Sequence, residues 1–143
     1  MIKEDIFELT ATDLTPYDVV VNAFNATFGT EEQHTSAGHV LIEVLKGHTN
    51  TRLAIVGSGG SLFTDESRSK RIRESAGFPA QFLDTALQMR KNLEELQSTS
   101  DLNWAYLSPC GLFDVQGKRT GRYETGNDVD LVNSKGEALY QLC

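Results

Sequence analysis

A chain of 143 residues with 39% hydrophobic and 23% charged side chains has the size and make-up of one globular domain, which excludes two large domains, a collagen-like chain and a disordered one. Thirteen Lys and Arg against twenty Asp and Glu leave a formal net charge of -7; such a surface repels phosphate backbones and anionic lipid, so neither nucleic acid nor membrane is an expected partner. No apolar run approaches the roughly 18 residues of a membrane-spanning helix. The N-terminus turns acidic at Glu4-Asp5, where a secretory signal would turn apolar. Cys110 and Cys143, with no C-x-x-C partner, read as free thiols of a reducing compartment, so the expected location is cytoplasmic.

Tyr17 to Phe24 is a β-branched, largely apolar run between Pro16 and Asn25, and it reads as a buried strand. From Glu32 to Lys46 the residues Ala37, Val40, Leu41, Val44 and Leu45 recur at i, i+3, i+4, i+7 and i+8, one face of a helix closed by Gly47. Arg52 to Gly57 is a second apolar run, leaving through the small residues Ser58-Gly59-Gly60-Ser61. Phe82, Ala86, Met89, Leu93 and Leu96 alternate spacings of four and three, which predicts a helix from about Pro79 to Gln97. A third strand follows at Asn103 to Leu107, ending in Ser108-Pro109. Strands separated by helices are βαβ units with parallel pairing, so the fold class is α/β. Beyond Gly111, turn residues surround short β-prone pieces at Arg122 to Glu124 and Asp128 to Val132, a hairpin-like excursion.

Ligands of an open parallel sheet bind outside the carboxyl ends of its strands, here Ala23 to Thr27, Ser58 to Ser61 and Ser108 to Leu112. Small side chains at all three exits let a ligand approach backbone N–H groups. The glycine stretch has no following Lys and matches neither a P-loop nor G-x-G-x-x-G, and no G-x-S-x-G elbow is present. His34 and His39 stand five apart, so on a helix they diverge by roughly 140° and cannot share a metal; with His48 they read as solvated or capping residues. Arg68, Lys70, Arg71 and Arg73 form a basic run beside Asp65 and Glu66, either a solvated face or a phosphate contact. Trp104 and Tyr106, alternating along the third strand, read as packing residues.

The ordered segments Asp18 to Phe24, Arg52 to Leu62 and Asn103 to Pro109, followed by Leu112-Phe113-Asp114 and Gly117 to Gly121, resemble the NmrA-like, atypical short-chain-dehydrogenase family of NAD(P)-binding proteins that includes NADH-flavin reductases. The resemblance covers about Asp5 to Glu137. It implies one partial Rossmann-type domain over 1–143, with NADP or NAD across the strand exits and hydride transfer to a flavin or quinone-like acceptor. By position, Ala23, Phe24, Asn25, Ser58, Gly59, Pro109 and Cys110 would line the cofactor, and Ser58 and Ser108 would position or polarise the reacting ring without forming a covalent bond.

Two departures from the family pattern matter. The family opens with a strand and a glycine-rich turn that holds the pyrophosphate, whereas Met1 lines up with its third strand, so the chain looks truncated there and again after Glu137. The exposed edge of the strand at 17–23 would then need a cover, from Met1 to Phe7 or from a second copy in a homodimer. Where carbonyl-reducing members carry Tyr-x-x-x-Lys, this chain has Phe82-Leu83-Asp84-Thr85-Ala86, neither end of which donates a proton. A flavin, whose reduced form takes its proton from water, tolerates that loss better than a ketone. The alternatives are a non-catalytic dinucleotide-sensing or interaction module, or an inactive truncated family member.

Overall fold

The computed structural model describes residues 4–109, 121 and 123–132. Three strands, β1 (Val19–Asn22), β2 (Arg52–Val56) and β3 (Trp104–Leu107), form a parallel sheet in the order β1-β2-β3. The crossovers carry α2 (Gln33–Leu45) and α3 (Leu83–Ser98), and a short helix α1 (Ala11–Leu14) precedes β1. The α/β class and the parallel pairing are therefore as the sequence predicts. Register runs from Val19 opposite Arg52 to Asn22 opposite Ile55, and from Leu53 opposite Trp104 to Val56 opposite Leu107.

Helix α2 ends within a residue of its expected limit because Lys46 leaves helical backbone and Gly47 adopts a φ of +81°. That conformation costs a glycine little, and its N–H donates to the Asp101 carbonyl at 2.8 Å. Helix α3 starts four residues later than predicted, after a 3₁₀ turn at Ala80–Phe82. Phe82 is exposed rather than part of the packed face, and Asn92 is buried on that face instead.

Alternation along the strands sorts the side chains by face. Leu53 and Ile55 join Leu14, Leu41, Ile42, Leu45 and Leu96 in the core between sheet and helices, with Val20, Trp104 and Tyr106 packed against it. Burial of each large aliphatic side chain there contributes about 1.5–3 kcal/mol. β1 was expected to be buried, but only half of it is: Val20 and Asn22 face the helices, while Val19 and Val21 lie 51% and 62% exposed on the other side. Among the described residues β1 is an edge of the sheet.

After β2 the chain turns through a 3₁₀ turn at Gly59–Ser61 and doubles back, with the Thr64 N–H donating to the Lys70 carbonyl and the Ile72 N–H to the Leu62 carbonyl. Of the C-terminal excursion, residues 128–130 pair with Phe63: Phe63 donates to Asp128 at 2.8 Å and Asp130 to Phe63 at 2.9 Å. Cys110, part of the proposed cofactor lining, lies outside the described residues, as do Leu112-Phe113-Asp114, Gly117 to Thr120 and Cys143.

Candidate functional site at the strand exits

Because the three strands end at Asn22, Val56 and Leu107 in adjacent register, their exits open along one edge of the sheet. The Gly57 N–H donates to the Leu107 carbonyl at 2.8 Å, extending the β2–β3 ladder by one bond before the chains diverge into Ser58 and Ser108. A Cβ on Gly57 would stand 2.0 Å from the Tyr106 ring, so the inward position at this exit admits only glycine. Ser58, in extended backbone, caps the 3₁₀ turn: its Oγ accepts from the Gly60 N–H at 3.1 Å. Its own O–H proton has no acceptor among the described residues. Gly59 and Gly60 are buried; a Cβ on Gly60 would stand 3.0 Å from that of Ala86, so its smallness serves the packing of α3 on the turn.

The first exit is held from the helix side. Asn22 Oδ1 accepts from the Phe24 N–H at 3.0 Å, and His34 Nε2 from the Ala26 N–H at 3.4 Å. The Phe24 ring meets His34 and Phe7 edge-on, at centroid distances of 5.8 and 6.3 Å. Ala23 and Asn25 are exposed between these anchors, and Ser108 and Pro109 are half-buried at the third exit.

His34 corrects the expectation of a solvated or capping histidine. It is 6% exposed, and burial outweighs the attraction of Glu31 to push its pKa down, keeping the ring neutral as an Nε2 acceptor must be. His39 does stay on the surface, where its Nδ1 lies 2.5 Å from Glu95 Oε1 on α3 and the bond raises its pKa. Of the basic run, Arg68 pairs with Asp128 at 3.0 Å and Lys70 is exposed, whereas Arg71 and Arg73 turn inward and are half-buried.

Beneath the exits lies a cavity of about 10 Å³, room for one water, bordered by Asn22, His34, Gly57, Met89, Asn92 and Tyr106. The Tyr106 hydroxyl donates to the Met89 carbonyl at 3.2 Å, and burial pushes its pKa up against weaker opposing effects of Ser61, Ser58 and Arg90. Asn92 is 3% exposed, and its Nδ2 has no partner among the described residues. Sequence reasoning did not single out Asn22 or Asn92, and Tyr106 is a packing residue with a polar role besides. The signal for Asn92 was its spacing: it falls three after Met89 and four before Leu96, on the packed face.

No family model matches the chain. It is 46% identical to the uncharacterized protein YwnB of Bacillus subtilis over 138 residues, which are 96% of this chain and 65% of that protein. Among solved structures, a putative NADH-flavin reductase from Streptococcus pneumoniae superimposes with a TM-score of 0.88 at 37% identity, over 94% of this chain and 64% of that one. A putative epimerase from Bacteroides thetaiotaomicron gives 0.77 at 26%, over 93% and 60%. The chain thus spans somewhat under two thirds of the length of these proteins. Over nearly all of its own length it is similar in sequence and fold to Rossmann-like proteins that include a putative NADH-flavin reductase.

Proposed function

We propose that the chain is an NAD(P)H-dependent oxidoreductase of the flavin-reductase type, with the dinucleotide along the strand exits and a flavin or quinone-like acceptor beside it. The observation that carries this reading is the arrangement at Ser58: at the exit of β2 its hydroxyl accepts from the Gly60 N–H at 3.1 Å, and no acceptor for its own proton lies among the described residues. A nicotinamide bound there supplies a hydride. The protein's part is to orient the rings, with Ser58 donating to a ring carbonyl and Ser108 at the neighbouring exit, while Ala23, Asn25 and Pro109 shape the floor. The exposure of Ala23 and the half-burial of Pro109 support placing the nicotinamide end at the exits.

Loss of the proton donor supports a flavin acceptor over a carbonyl. At the Tyr-x-x-x-Lys positions, Phe82 is exposed in the 3₁₀ turn and Ala86 is buried under Gly60, so neither delivers a proton. No helix among the described residues is long and apolar enough to cross a membrane, and a cytoplasmic location remains part of the proposal.

The test is calorimetric titration with NADPH and NADH, followed by oxidation of the bound cofactor with added flavin. Turnover that falls about tenfold or more in Ser58→Ala with binding retained supports the reading, in line with the loss of one directed donor. Binding without turnover would point to the dinucleotide-sensing module instead, and no binding at millimolar cofactor would leave an inactive member of the family.

A further inference from the structure

The doubled-back segment after β2 and helix α3 bring three arginines close to the Gly59–Ser61 turn, and the Arg71 guanidinium reaches it. The 3₁₀ turn Ile72–Glu74, which follows Arg71 and contains Arg73, and helix α3, which carries Arg90, both pack on it, and the charges of Arg90 and Arg73 both reach Arg71. Arg71 lies 3.9 Å over the Phe63 ring and donates through Nη1 to the Ser61 carbonyl. It has no carboxylate within ion-pair distance among the described residues. Arg73 Nη2 reaches Glu74 at 3.3 Å, but its Nη1 is buried without a partner among the described residues. Arg90 Nε bonds Glu94 at 2.8 Å, and the side chains of Arg73 and Arg90 are each only 15% exposed.

The charges do not cancel. Glu74 and Glu94 offset two of the three cations, and Asp128, whose charge also reaches Arg71, is held by Arg68. Burial, then Arg90, then Arg73 all work against the charge on Arg71, outweighing Glu74 and Asp128. Gathering half-buried cations costs energy unless an anion meets them, and in a chain of net charge -7 such a gathering is against the general trend. Planar guanidiniums from two elements suit the tetrahedral oxygens of a phosphate ester.

We propose that Arg71, Arg73 and Arg90 form an anion subsite beside the β2 exit that takes the phosphate of a phosphorylated acceptor, so that flavin mononucleotide is preferred to riboflavin. The choice of a flavin rests on the function proposed above; the phosphate subsite rests on the arginines. Its test is equilibrium binding of flavin mononucleotide and riboflavin to the full chain by flavin fluorescence, with Arg73→Gln, Arg90→Gln and, as a control for net charge, Lys46→Gln on the distant end of α2. Flavin mononucleotide should bind at least about tenfold more tightly than riboflavin. Either arginine variant should erase most of that preference, Lys46→Gln should keep it, and inorganic phosphate should compete. Equal affinity for the two flavins, failure of both to bind, or a preference that survives both arginine changes overturns the subsite. So does an effect of the arginines on NADPH against NADH alone, which would assign them to the dinucleotide. Selective flavin mononucleotide binding without NAD(P)H oxidation would sink the catalytic reading and keep the subsite. Turnover of both flavins at equal efficiency, with equal affinity, would do the reverse.

Discussion

Gly38 of α2 faces Asn92 of α3 so closely that a Cβ added to the glycine would stand 2.0 Å from Asn92 Nδ2 and 2.3 Å from its Cγ. In a solvent-exposed helix, Gly→Ala stabilises by about 1 kcal/mol through backbone entropy. Here both residues are buried, so the Asn side chain has little room to yield, and overpacking of this kind costs about 1–3 kcal/mol. The net expectation for Gly38→Ala is a loss of up to about 2 kcal/mol. Its sign should depend on the partner: an Asn92→Ala background removes the three atoms that the added methyl meets most closely, and the same substitution should become stabilising by up to about 1 kcal/mol. Urea unfolding of the four proteins in this cycle gives a coupling energy of about 1–3 kcal/mol if the contact limits the helix approach. Equal effects of Gly38→Ala in the two backgrounds would refute the argument, because the helix packing would then owe nothing to this contact.

The two helix histidines should respond to pH in opposite senses. His39, with its pKa raised by Glu95, contributes stability that is complete below its unfolded value of about 6.5 and is lost as pH rises through the higher folded value. His39→Gln should therefore cost more at pH ~5.5 than at pH ~8.5, by no more than about 1 kcal/mol for so exposed a pair. His34, with its pKa lowered by burial, contributes stability above about 6.5 that fades as pH falls toward the folded value, so His34→Gln should cost more at the alkaline end. A pair of urea titrations at the two pH values decides both, and matching trends for the two variants would contradict the assignment. If two copies pair along the β1 edge, the chain sediments as a dimer and the Val19 to Val21 amides are protected from hydrogen exchange; a monomer with freely exchanging amides removes that pairing.

The elements legible in the sequence were those whose boundary is set locally. Gly47 at positive φ stops α2 where the apolar period stops, so residue type and pattern agree. The start of α3 was misplaced because Phe82 continues the period arithmetically, while Pro79 begins a 3₁₀ turn that carries its ring out to solvent. At the β2 exit, Ser58 and Gly59 were singled out because small polar residues follow the strand, and the structure places Ser58 half-buried and Gly59 buried there. Asn92 and His34 were not, because a polar residue on a packed face declares itself only through what it meets: Gly38 and the cavity for one, the Ala26 N–H for the other. Arg71 and Arg73 look in sequence like Arg68 and Lys70, and only the fold-back onto Phe63 and Ser61 separates the inward pair from the solvated one.

The strands read as continuous apolar runs rather than alternating ones, and the sheet shows why. Inward positions Val20, Leu53, Ile55, Trp104 and Tyr106 meet the helices, while outward Val19, Val21, Val56 and Leu107 are just as apolar and remain exposed among the described residues. Parallel sheets are stable when both faces are covered, so this pattern is written for a two-sided sheet even though the described helices cover one side. The exits are nevertheless fixed from the covered side. Asn22 ties Phe24, His34 ties Ala26, Gly57 fits only against Tyr106, and Ala86 of α3 supports Gly60 beneath Ser58. The geometry that orients the Ser58 hydroxyl therefore depends on the core between sheet and helices, and substitutions on the outward face at Val19 or Val21 should change association and stability before they change the site.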